Sequence, residues 1–126
     1  MKKTIARQLL GSALGLIILG SQTTVSAEET GEALYKTYCS QCHGIKGDGM
    51  GVNVRDMSVQ PRDHTDRVAM SSRSDADLFK VVKEGGQAIS KSVLMPPWAG
   101  AMSDNEINSV VKHMRVLCQC QHGSGS

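Results

Sequence analysis

The run Cys39-Ser40-Gln41-Cys42-His43 restricts this chain more than any other stretch of it. On a helical turn, residues three and four apart are neighbours, so two thiols and one imidazole emerge on the same side. An even cysteine count in an oxidising compartment would ordinarily suggest disulfides. A bridge between Cys39 and Cys42, however, leaves His43 without a role. A zinc site drawing Cys39, Cys42, Cys118 and Cys120 together would span far more chain than common finger spacing. A thioredoxin-like pair calls for a βαβ setting, and no strand pattern flanks the motif. C-x-x-C-H is the attachment signature of c-type haem, and that reading uses all three side chains. Two thiols form thioethers to one porphyrin, and the imidazole comes underneath to ligate iron.

The N-terminus points to export. Met1-Lys2-Lys3-Thr4-Ile5-Ala6-Arg7 is a basic segment, Leu9 to Leu19 a short apolar run, and Val25-Ser26-Ala27 a small-residue cleavage site. Residues 1–27 are expected to be a secretory signal, with the periplasm as destination. The apolar run falls short of the ~20 residues that span a bilayer, so no membrane span is expected after cleavage. Residues 28–117 then form one small domain and 118–126 a C-terminal tail. Taking Lys2, Lys3 and Arg7 from 14 basic residues leaves 11 against 12 acidic ones, a net charge of −1, and nucleic acid is not an expected partner. Aromatic residues are only 3% of the chain (Tyr35, Tyr38, Phe79 and Trp98), a thin supply for a core. Domains of this size usually need a staple or a cofactor.

Helical signals place the motif. Thr30 is a cap for a first helix running through Leu34, Tyr35 and Tyr38 into the cysteines. Gly44-Ile45-Lys46-Gly47-Asp48-Gly49-Met50-Gly51 follows. No strand precedes it and no Gly-Lys-Ser/Thr closes it, so a nucleotide loop is excluded. Its glycines are expected to let backbone pass close to a flat ligand. Residues 52–73 are polar and weakly periodic, with a turn at Pro61-Arg62-Asp63. So long a loop makes sense if it wraps a cofactor. Ser74 caps a helix over 75–84 that Gly85-Gly86 ends. Ser103-Asp104-Asn105-Glu106 is a capping box ahead of Ile107, Val110, Val111, Met114 and Leu117 at helical spacing.

An iron held by His43 needs a sixth ligand or an open position. Met114 sits on an apolar helical stripe, while Met50, Met57 and Met70 lie in polar stretches that pattern does not exclude. Met95 differs, because Leu94-Met95-Pro96-Pro97-Trp98 sets it before two prolines whose fixed φ stiffens the loop. A thioether on a rigid loop suits iron that changes oxidation state without changing geometry. The site residues expected are therefore Cys39, Cys42, His43 and Met95, with His43 and Met95 on the metal.

These pieces together resemble the class I, small monohaem cytochromes c of bacteria. The resemblance runs from Gly31 to Leu117: Gly31-Glu32-Ala33-Leu34-Tyr35 into Cys39-Ser40-Gln41-Cys42-His43-Gly44, Pro61-Arg62-Asp63, the 78–86 segment, Met95-Pro96-Pro97-Trp98, and the closing helix. It implies an all-α fold, three to four helices and long loops wrapped round one covalent haem c. It also implies axial His43 and Met95, a Pro61 carbonyl accepting the other imidazole N–H, and first and last helices that cross at Gly31. The function implied is electron carriage, not catalysis, with transient docking on periplasmic or membrane redox enzymes. An open or labile sixth site, for ligand sensing or a small peroxidase, is the alternative, as is a cytochrome subunit of a larger periplasmic redox enzyme. Two features depart from the family pattern. His113 stands where an aromatic residue is common in the helix contact and reads as its packing substitute, with bis-His ligation the minor alternative. Cys118-Gln119-Cys120-Gln121-His122 extends beyond the family core, leaving open a local disulfide, a disulfide dimer through Cys118 or Cys120, or a metal held with His122.

Overall fold

A computed structural model describes residues 29–123; the expected signal segment and residues 124–126 of the tail lie outside the described residues. The fold grows from helices whose ends are fixed locally. The Thr30 hydroxyl accepts from Ala33 N, starting α1 (Gly31–Leu34). The helix then widens into a π-helical turn over Tyr35–Cys39 and continues as α2 (Ser40–His43). A 3₁₀ turn covers Val54–Asp56, and α3 (Arg67–Ser71) starts at Asp66, whose carboxylate accepts from Ala69 N. Helix α4 (Asp75–Glu84) opens with a reciprocal capping box between Ser74 and Asp77, and a 3₁₀ turn over Gly86–Ile89 follows it. Helix α5 (Asp104–Cys118) opens with the same device between Ser103 and Glu106. Among the described residues there is no strand, and the all-α expectation holds.

The core forms where α1 crosses α5, with α4 packed beside them. Leu34, Tyr35, Val82, Ile107 and Val110 are almost wholly buried there. Gly31 is what lets the first and last helices meet: a Cβ on it would run into the Ser109 carbonyl oxygen. His113 packs its ring 5.2 Å from that of Tyr35, at a tilt of 56°, which bears out its reading as an aromatic substitute in the helix contact.

Two expectations change. The stretch 52–73 is not all loop, because α3 lies within it and buries Met70. The Arg115 guanidinium holds α3 against α5: it donates to the carbonyls of Met70 (2.8 Å) and Arg73 (2.6 Å) and pairs with Asp75 at 2.7 Å. The end of the chain also joins the core. Cys118 and Cys120 are buried and bonded to each other, their Cα atoms 5.1 Å apart across a left-handed Gln119. The tight turn brings the two Cα atoms inside the range a disulfide tolerates. The sulfurs are thus spent on a local bridge, which leaves neither for a disulfide dimer or for a metal shared with His122.

Candidate cofactor site

Helix α2, the loop 53–64, α4 and the segment 86–98 enclose one open-sided cavity of about 680 Å³ with a largely apolar lining. That size lies within the roughly 300–1,000 Å³ of small-molecule and cofactor sites. Cys39, Cys42, His43 and Met95 all line it, so the structure brings the four expected site residues together. The π-helical turn carries Cys39 into the wall. Burial, and secondarily the neighbouring Cys42, push the Cys39 thiol up to about 12, so it is held neutral. Neither Cys39 nor Cys42 is in a disulfide.

His43 is oriented by its other nitrogen. Nδ1–H donates to the Arg62 carbonyl at 2.9 Å, because a carbonyl can only accept, and this leaves Nε2 as the lone-pair nitrogen. The expected acceptor was the Pro61 carbonyl. The turn presents the next residue's carbonyl to the ring, while the Pro61 carbonyl faces Gly49. Burial lowers the pKa of His43 and the Arg62 bond opposes that shift, so the ring stays neutral and able to ligate.

The Met95 loop is strapped to the end of α4. Gly86 N donates to the Met95 carbonyl (2.9 Å) and Trp98 N to the Val82 carbonyl (3.0 Å), while the Trp98 ring lies 5.2 Å from Tyr38. Gly85, at φ 84°, makes this approach possible, since a Cβ there would sit 2.9 Å from the Met95 carbonyl oxygen. Other methionines divide by place. Met57, Met70 and Met114 share the cavity wall, Met102 is buried in the core outside it, and Met50 is 74% exposed away from it. His113 does not line the cavity, which removes the bis-His alternative through that residue. The glycine-rich loop does not line it either. Gly49 and Gly51 donate instead to the His43 and Cys42 carbonyls, so the loop closes the end of the motif helix rather than passing a flat ligand.

Sequence reasoning passed over His64. It is 5% exposed, lines the cavity, stacks on His43 with ring centroids 4.2 Å apart at 15°, and shares a 2.8 Å hydrogen bond with the Tyr35 hydroxyl. Burial, reinforced by His43, Arg62 and His113, holds its pKa well below the usual histidine value. A second histidine just past the Pro61-Arg62-Asp63 turn was the available signal.

The donor set fits a covalently held porphyrin: two unbridged thiols i,i+3 on one wall, a neutral imidazole with a committed Nδ1, and an apolar slot beside them. Solved structures share the fold. The KustC0563 c-type cytochrome is 21% identical (TM-score 0.57), covering 71% of this chain and 98% of that one. A chain of the Kuenenia stuttgartiensis reducing HAO-like protein complex is 27% identical (TM-score 0.55), covering 71% of this chain and 43% of that one. Cytochrome CL from the marine methylotrophic bacterium Methylophaga aminisulfidivorans is 24% identical (TM-score 0.52), covering 71% and 52%. Fold and site together define a monohaem c-type cytochrome. The family model described as cytochrome c oxidase, cbb3-type, subunit III matches residues 26–114, and the chain belongs to that family. No curated protein matches it. Membership brings one covalently bound haem c, with its iron, and haem-based electron transfer.

Proposed function

We propose that this protein is an exported one-electron carrier whose haem is linked through Cys39 and Cys42 and whose iron is ligated by His43 and Met95. When bound, the haem supplies the reversible one-electron couple. Cys39 and Cys42 would tether it, the Arg62 carbonyl fixes the His43 tautomer, and the Met95 loop would supply a soft donor from the same cavity. The observation that carries this reading is that His43, with Nδ1 committed to Arg62, shares one cavity with a Met95 whose backbone is strapped to α4. No helix among the described residues is long and apolar enough to cross a membrane. The rigid Met95 loop favours a closed site over a ligand sensor or small peroxidase.

The test is an absorbance spectrum of the holoprotein, oxidised and reduced, with and without carbon monoxide. The oxidised wild type should show the weak long-wavelength band of a Met–ferric haem pair and the reduced form should ignore carbon monoxide. Met95→Ala should lose the band, bind carbon monoxide and have a lower reduction potential. Loss of the band in Met57→Ala or Met70→Ala instead, with Met95→Ala unchanged, moves the ligand to that residue.

A second reading, a cytochrome subunit within a larger redox enzyme, is favoured by the neighbour that comes from a protein complex. Native electrophoresis of a periplasmic extract with haem staining separates the two: a band at the size of this chain alone supports the free carrier.

A further inference from the structure

We propose that His64 is a positioning residue that sets the ring plane of His43. The proposal rests on His43 being the iron ligand and goes beyond it to how that ligand is oriented. One hydrogen bond at Nδ1 locates an edge of the His43 ring but lets the ring swivel about the N–H···O direction. A flat group against one face removes that freedom, and the His64 ring lies at 4.2 Å and 15° from parallel. His64 is itself held at three points. Its backbone N donates to the Gly47 carbonyl (2.6 Å), its Nδ1 bonds the Tyr35 hydroxyl (2.8 Å), and the Tyr35 ring meets it edge-on at 5.7 Å. Tyr35 is fully buried and packs in turn on His113 of α5. The orientation of His43 is therefore tied through two side chains to the α1–α5 crossing. Burying an imidazole and a phenol here is tolerable because each satisfies the other. An aliphatic side chain would fill the space more cheaply but would present no plane to stack on.

The experiment compares wild type with His64→Leu, His64→Phe and Tyr35→Phe as holoproteins. Haem staining after denaturing electrophoresis reports attachment. The hyperfine-shifted haem methyl resonances of the ferric protein report the orientation of both axial ligands, and where the long-wavelength band is unchanged a shift reports the imidazole plane. With haem attached, His64→Leu should move and broaden those resonances, His64→Phe should restore a pattern close to wild type, and Tyr35→Phe should shift it in the same direction as His64→Leu but less. A His64→Leu pattern coincident with wild type overturns the proposal. Should His64→Leu fail to retain haem, Tyr35→Phe decides, since it deletes one hydroxyl and an unchanged pattern there overturns the proposal equally. A wild type with no haem band defeats the reading of the site itself, and this proposal with it. A haem-bearing wild type with insensitive variants defeats the role of His64 alone.

Discussion

The two walls of the cavity are held in opposite ways. On the His43 wall the side chain is fixed: an edge by the Arg62 carbonyl, a face by His64, and His64 by Tyr35. On the Met95 wall the backbone is fixed, by the bonds from Gly86 and Trp98 to and beside the Met95 segment, while the Met95 side chain remains partly exposed. A ring with a direction needs its plane set, whereas a thioether has three soft torsions and needs only its Cα placed. The walls also differ in origin. The first draws on residues up to 29 positions apart, while the second is a local loop hung on the end of one helix.

The largest change should come from removing what both walls share. Cys39→Ala with Cys42→Ala deletes the thiols of the attachment motif. The haem-stained band should vanish, and the chain should lose most of its cooperative unfolding transition, because a cavity of about 680 Å³ beside so small a core is left without its filling. A well-folded double variant with a sharp thermal transition would show that the protein walls stand without the cofactor.

Gly85→Ala should touch the Met95 wall alone. A residue at φ 84° other than glycine is strained, and its Cβ would press on the Met95 carbonyl and Pro97 nitrogen at 2.9 and 3.0 Å, which are backbone atoms that cannot swing aside. Destabilisation of about 2 kcal/mol is expected from the backbone strain. The long-wavelength band should weaken and carbon monoxide should gain access, while the haem-stained band set by the attachment motif persists. Denaturant titration and the paired spectra check both halves. Movement of the His43 signals with the band intact would mean the walls are mechanically one unit.

The difference in origin explains what could be read before the fold was known. Thr30, Ser74 and Ser103 announce their helices because a cap acts within three residues of itself, and all three begin where expected. The Met95 loop was legible for the same reason, in two prolines and two glycines. Helix α3 was not: five residues hold no period, and the segment is held by Arg115, whose carbonyl partners Met70 and Arg73 lie more than 40 positions away. His64 was invisible likewise, since its meaning lies in Tyr35 and His43 folding over it. The choice of Arg62 over Pro61 as acceptor depends on the rotation of one turn, a detail that spacing does not carry.

The smallest effect should come from the end of the chain. The Cys118–Cys120 bridge closes a turn of very few residues at the C-terminus of α5, on the side where Arg115 clamps α3 and Gly123 N donates to the Ser71 carbonyl. Loop-closure entropy grows with loop length, so so short a ring contributes less than the ~3 kcal/mol of a 15-residue loop, on the order of 1–2 kcal/mol. Neither cysteine lines the cavity. Cys118→Ser with Cys120→Ser should therefore lower the denaturation midpoint modestly and leave both the long-wavelength band and the haem methyl pattern where they were. Intact mass before and after reduction should show one protein chain gaining two hydrogens in the wild type and none in the double variant. A spectral change in that variant would tie the tail to the cavity through α3 and Met70, and the contrast between two independently held walls would have to admit a third support.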